Sequence, residues 1–390
     1  MARIAFVESY PYETVRAGDV VYLDAIRRHL HDGGHDVQSF ITDISRGRTN
    51  PLVDLRPGLS GEERFRVRRA VAIGRYRYAS LSPVTYLNTA MRLATRRSFL
   101  KDEPTAAEGR WLRRQLQHLR PDLVVLIYDA CELLPWIGAW ADTTVAIRGF
   151  FSERLTSLGG DRAHTAPVRP RSWQALPRAR RAAFNSMSDL LHYKEVSGAP
   201  NGAFIGMGFP CRIASGHADE PVILFVGART EPNRQGINWF VAHCWGPIRA
   251  ACPAARLRIV GSVGRDVAEA DTPGIEIAGF VADLDAEYGA ARIVIAPLLI
   301  GTNGVKTKIG EAFSHGRPLV TTSLGVDADD PAQFAGAADV ADTADAFAAA
   351  VIALLGDDAL HAARCRRAEA IYRANFSDEA AYRALDEMLR

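Results

Sequence analysis

Lysine is scarce in this chain. Of its 47 basic residues, 43 are arginine and four are lysine: Lys101, Lys194, Lys306 and Lys308. Cysteine is sparse as well. The five cysteines (131, 211, 244, 252 and 365) are odd in number, scattered and never spaced CxxC. That pattern argues against a disulfide framework or a zinc ribbon and fits free thiols in a reducing cytoplasm. No hydrophobic run approaches the ~20 residues a membrane span requires. The N-terminus enters a strand-like run, ARIAFVES, without the charged, apolar and cleavage regions of a secretory signal. A cytoplasmic location is therefore expected. Several catalytic signatures are missing too. There is no HExxH, no GxSxG elbow, no GxGxxG, no internal repeat and no low-complexity segment.

What remains is ordinary globular composition, with 48% hydrophobic residues, 24% charged residues and a mean hydropathy of −0.06. At 390 residues, two domains are expected. Strand-like runs alternate with helical patterns. In the first half these runs are 4–8, 35–40, 123–127, 145–147 and 182–185, and after a polar stretch near 211–220 the pattern restarts with VILFVG. Such alternation builds parallel sheets covered by helices on both faces. The expected class is α/β, with two Rossmann-like doubly wound domains facing one cleft. The divisions are residues 1–212, residues 213–375, and a final helix over 376–390 with Ser377 as its N-cap.

The net charge of +2 conceals an asymmetry. Residues 44–120 carry 17 Lys+Arg against 6 Asp+Glu, a local +11, leaving −9 for the remainder. A solvated helical outer face is the plain reading of this segment. Peripheral contact with an anionic surface is the sharper one, since aromatics intersperse the charge in GRYRYASLSPVTYL. Nothing points to nucleic acid.

Two of the four lysines fall in GTNGVKTKIGEAFSHGRPLVTTSLG (301–325). A buried strand over 293–296 ends at Pro297, a Gly-bearing loop follows, and a helix is expected from near Lys306 to His315 with Gly316 as its stop. Ammonium groups at a helix N-terminus oppose the dipole, at ~0.3–1 kcal/mol each. A bound anion reverses that sign. Glu311, one turn deeper, suits the vicinal hydroxyls of a ribose. A phosphate at the tip with a ribose behind it describes a nucleotide. An ordinary surface Lys–Glu pair is the competing explanation, but it does not require the Gly-rich entry.

On these residues the chain resembles the GT-B glycosyltransferases, especially the group 1 (family 4) retaining enzymes. IAPLLIGTNGVKTKIGEAFSHGRPLVTT is similar to their donor-site segment, VILFVGARTEPNRQGINWFV to the entry of their C-terminal domain, and NFSDEAAYRALDEML to the helix that crosses back. The resemblance is close over about 220–325 and at the tail, weaker over 1–40 and faint over 44–120. It implies that Glu311 binds the ribose, and that Arg229 and one of Lys306 and Lys308, with Lys306 preferred, meet the donor diphosphate. Gly227 belongs to the same donor loop. Thr302, Asn303, Gly304 and Val305 would face the transferred sugar, and Gly279, Phe280 and Val281 would cup the base. Many family members carry a glutamate eight residues before the ribose-binding one. Here that position is Asn303, so the sugar cannot be inherited. On the acceptor side the candidates are Gly18, Asp129, Arg148 and Asn185-Ser186.

The implied function is transfer of a sugar from a nucleotide diphosphate, UDP favoured, to an acceptor, with retention, without a metal and with no other cofactor. A nucleotide-sugar epimerase of the same shape, or a catalytically silent nucleotide-sugar-binding protein, are the alternatives. A dinucleotide oxidoreductase is weaker, because GSVG (261–264) is not a full fingerprint. Asp283-Leu284-Asp285 is a DxD, but it precedes a helical pattern, and Asp283 is expected to be an N-cap rather than a metal ligand.

Overall fold

The computed structural model describes residues 1–8, 18–42, 52–54, 64–67, 70–73, 76–80, 106–148, 156–157, 172–213, 220–268, 270–301, 307–326 and 334–389. Two parallel sheets organise the chain. The first has seven strands in the spatial order Gly202–Phe204, Arg181–Phe184, Thr144–Arg148, Leu123–Ile127, Arg3–Glu8, Asp36–Ile41 and Arg64–Val67. The second has six, in the order Ile275–Gly279, Arg256–Val260, Val222–Val226, Ile293–Ala296, Leu319–Thr321 and Ala338–Val340. Their inner strands are continuous apolar runs because both faces are covered. Ile4 to Val7, Val124 to Leu126 and Ile223 to Phe225 are all fully buried.

In both sheets the strand order reverses beside the first strand. Arg3–Glu8 lies between Asp36–Ile41 and Leu123–Ile127, and Val222–Val226 lies between Arg256–Val260 and Ile293–Ala296. The loops leaving the carboxyl ends of two such strands diverge to opposite faces and open a crevice, where ligands of doubly wound sheets bind.

The segment 205–213 crosses from one sheet to the other and is clamped by hydroxyls. The Tyr22 hydroxyl donates to the Ile205 carbonyl (3.1 Å) and that of Tyr372 to the Phe209 carbonyl (2.8 Å), while the Gly208 N–H donates to the Tyr382 hydroxyl (3.0 Å). The last helix, Asp378–Leu389, supplies Tyr382 and lies against the first helix, Gly18–Asp32, with His29 Nε2 2.7 Å from Asp386 Oδ1 and the His29 ring 4.6 Å from that of Tyr382. Ser377 caps it, accepting from the Ala380 N–H at 3.3 Å. A further link is a short antiparallel pair joining Ile300–Gly301 to Thr156–Ser157.

One expectation needs correcting. The basic segment 44–120 is helical only over Ala106–Leu119 among the described residues. Leu52–Asp54, Ala70–Ile73 and Tyr76–Ser80 form a small antiparallel sheet, and Arg64–Val67 joins the edge of the first large sheet. Alternation such as Arg-Phe-Arg-Val and Tyr-Arg-Tyr has the period of a strand, and this local pattern outweighs the charge count. Among the described residues, no single helix is long and apolar enough to cross a membrane.

The helix Glu231–Phe240 packs so closely on the turn after Ile293–Ala296 that a β-carbon on Gly236 would collide with the Pro297 carbonyl oxygen. In an open helix Gly→Ala would stabilise by about 1 kcal/mol. Gly236→Ala should instead destabilise by about 1–3 kcal/mol, as overpacking does, measured by urea unfolding.

Candidate active site

The crevice of the second sheet gathers residues from four loops. Strand Val222–Val226 ends at Gly227, whose N–H donates to the Val260 carbonyl (2.9 Å) and whose carbonyl accepts the Val263 N–H (3.3 Å). Gly261 donates in turn to the Gly279 carbonyl (2.6 Å). The loops after three neighbouring strands are thereby laced together through their backbones.

Arg229 stands on the first of these loops. Its N–H donates to Ser262 Oγ (2.9 Å) and its Nε to Asp266 Oδ2 (2.8 Å). The hydrogen bond with Asp266 raises the guanidinium further above its ordinary value, and the same bond holds the Asp266 carboxyl below its own. The Arg229 side chain remains 62% exposed. An exposed ion pair of this kind is weak and exchanges readily for a stronger anion.

Lys308 comes from another element, the helix Thr307–Ser314. Its ammonium donates to Asn233 Oδ1 (2.6 Å) and sits 5.6 Å from the centre of the Phe225 ring. The Asn233 amide donates to the Ala228 carbonyl (2.9 Å), so this lysine is tied to the Arg229 loop. Of the two candidate lysines, Lys308 is thus the one whose position beside Arg229 is described. Lys306, preferred from sequence, lies outside the described residues, as do Thr302, Asn303, Gly304 and Val305. The helix otherwise follows expectation, with Gly316 beyond its end at φ 66°.

Glu311 follows Lys308 by one turn. The Tyr288 hydroxyl donates to its Oε2 at 2.8 Å. Tyr288 is buried, and burial, then the Glu311 charge and hydrogen bond, push its phenol well above the ordinary value. It is therefore a protonated donor throughout the physiological range. Its ring stacks on His315 at 4.6 Å and 18°. His315 Nδ1 lies 2.8 Å from the Glu311 carbonyl oxygen and Nε2 lies 3.1 Å from Asp285 Oδ1. Asp285 Oδ2 accepts from Arg212 Nε at 2.7 Å, and the Arg212 N–H donates to the Ser314 carbonyl at 2.8 Å. Tyr288, His315, Asn233 and Asp266 escape a motif search because they stand on or beside four separate elements. What the sequence does contain is their position just before or after the strands that meet at the crevice.

Phe280 is 81% exposed at the end of Ile275–Gly279, while Val281 packs against the core. An aromatic ring so open beside the crevice is available for stacking. The second acid of the DxD belongs to the His315 network, and Asp283 caps the helix Leu284–Ala290 by accepting from the Ala286 N–H at 3.1 Å. Among the described residues, no group of three or more His, Cys, Asp or Glu side chains could hold a metal ion.

The first domain answers less directly. Gly18, expected in the loop after the first strand, is the first residue of the helix Gly18–Asp32. Asp129 lies in the 3-10 turn that follows Leu123–Ile127, and Arg148 closes the strand Thr144–Arg148. Both stand at carboxyl ends of strands; their side chains are outside the described set. Ser186 is different. It is fully buried and caps the helix Met187–Ser197 by accepting from the Asp189 N–H at 3.4 Å. Its hydroxyl serves the helix and is closed to an acceptor. Sequence reasoning passed over Glu8, a buried carboxylate at the carboxyl end of the first strand.

Comparison with known proteins matches residues 220–357 to the family model described as glycosyl transferases group 1. A comparison with curated protein sequences gives no match. Among solved structures, an S. aureus TarM variant in complex with fondaparinux, alpha-GlcNAc-glycerol and UDP is similar at TM-score 0.66 and 9% identity, with 100% of each chain covered. Anabaena HepE in complex with UDP and glucose is similar at 0.60 and 12%, covering 100% of this chain and 99% of its own. Sucrose-phosphate synthase from Thermosynechococcus elongatus is similar at 0.63 and 17%, covering 100% and 98%. At these identities the likeness establishes the fold, which is GT-B.

Because Asp283 is occupied as a cap, Asp283→Ala should lower stability by about 1 kcal/mol. Thermal or urea unfolding measures this loss, and the response of the protein to added Mn²⁺ or Mg²⁺ should be the same before and after the change.

Proposed function

We propose, from the premise that the chain carries a group 1 glycosyltransferase domain at residues 220–357 on a GT-B fold, that it moves a sugar from a nucleotide diphosphate donor, UDP by preference, onto an acceptor bound against the first domain. One observation carries the reading. Lys308 is tied through Asn233 to the loop that carries Arg229, and Glu311 follows Lys308 by one turn on the same helix. Two cations there match a diphosphate, and a carboxylate one turn away matches the ribose behind it. HepE and the TarM variant, of the same fold, are described in complex with UDP.

The chemistry follows from charge. As the glycosidic bond breaks, negative charge grows on the leaving diphosphate, and fixed cations and helix amides stabilise it more in the transition state than in the ground state. Arg229 is released from Asp266 to make this contact. Two cationic side chains can neutralise the leaving group without a metal. In the retaining form of the reaction the acceptor attacks from the face the diphosphate leaves, and no separate strong base is needed. Free thiols at all five cysteines accord with a reducing, cytoplasmic setting. The replacement of a family acid by Asn303 favours one competing reading, a protein that binds nucleotide sugar without turning it over.

A thermal-shift screen of nucleotide sugars, followed by transfer assays across acceptors, tests the proposal. Stabilisation by a UDP-sugar is expected, and no response to any nucleotide sugar would overturn it. Arg229→Ala, Lys306→Ala and Lys308→Ala should each lower kcat by about 10²-fold or more, with smaller rises in donor KM. Glu311→Ala should chiefly raise donor KM, by about ten-fold.

A further inference from the structure

Resting on the assignment of Glu311 to the donor ribose, we infer that Tyr288 is the positioning residue that sets the plane of the Glu311 carboxylate and thereby the selectivity for a ribose carrying its vicinal hydroxyls. A glutamate side chain has three rotatable bonds, and holding a carboxylate where two hydroxyls can reach it costs conformational entropy. A bond to one oxygen removes most of that freedom before the ligand arrives. Tyr288 makes this bond at 2.8 Å, to Oε2.

The phenol is itself immobile. It is 1% exposed, its ring is stacked on His315, and His315 is held at both nitrogens, by the Glu311 carbonyl and by Asp285. The chain of contacts ends on Arg212, in the segment that crosses between the sheets. Tyr288 is buried and its hydroxyl proton is committed to Glu311, so its effect on the ribose passes through the glutamate. Because the phenol is kept protonated by burial, it is a donor to the carboxylate.

The test compares UDP with 2′,3′-dideoxy-UDP by isothermal titration calorimetry, using the full chain and two variants, Tyr288→Phe and Glu311→Ala. Tyr288→Phe keeps the ring and its stacking and removes one oxygen. The unaltered chain should prefer UDP by about ten-fold. Glu311→Ala should abolish the preference. Tyr288→Phe should lose most of it while binding the dideoxy form as the unaltered chain does, and in transfer assays donor KM should rise with kcat nearly unchanged. If Tyr288→Phe keeps the full preference, or weakens both ligands equally, the positioning role is overturned and the ribose assignment of Glu311 stands. If Glu311→Ala leaves the preference intact, the ribose assignment of Glu311 falls and this inference with it; if the unaltered chain binds neither UDP nor any other nucleotide diphosphate, the functional reading falls as well.

Discussion

Phe209 presses its ring against the helix Thr307–Ser314 at Gly310, where a β-carbon would strike the ring. This contact joins the segment that crosses between the sheets to the helix that carries Lys308 and Glu311. The crossing segment is held on its other sides by Tyr22, Tyr372 and Tyr382, which come from the first helix and from the C-terminal region. Burial keeps Tyr22 and Tyr382 protonated far into the alkaline range. Elements separated by more than 350 residues, such as His29 and Asp386, are therefore fastened around one short run of backbone. The placement of the candidate donor site depends on that run as much as on its own loops.

The lacing of loops is the complementary constraint. Gly227 is hydrogen-bonded to Val260 and Val263, and Gly261 to Gly279, so the carboxyl ends of three strands cannot move independently. Charged side chains mounted on such a frame are already placed for a ligand and lose little freedom on binding. Arg229 and Lys308 each have a weak internal partner, Asp266 and Asn233, which holds them in position without burying them.

Much of this was legible in the sequence, and the reasons are local. Strands buried on both faces read as apolar runs, and Leu123–Ile127 and Ile293–Ala296 have the expected bounds. The helix after the Gly-rich loop, its stop at Gly316 and the caps at Asp283 and Ser377 follow from the chemistry of helix ends. The basic segment is less legible, because charge density says nothing of period and a strand of four residues such as Arg64–Val67 shows its alternation only briefly. Ser186 is ambiguous in sequence, because a serine after a strand looks the same whether its hydroxyl faces a crevice or caps a helix. Tyr288 and His315 were not legible, since their roles arise only when the helices Leu284–Ala290 and Thr307–Ser314 lie side by side.

The antiparallel pair between Ile300–Gly301 and Thr156–Ser157 carries one more consequence. It is a zipper of two residues stitched across the seam between the two sheets' halves of the chain. Any parting of the two halves there would unfasten it and hand its amide and carbonyl groups to water, where they are again satisfied. So short a stitch adds little to what holds the halves together, yet it fixes the register of one against the other at that point.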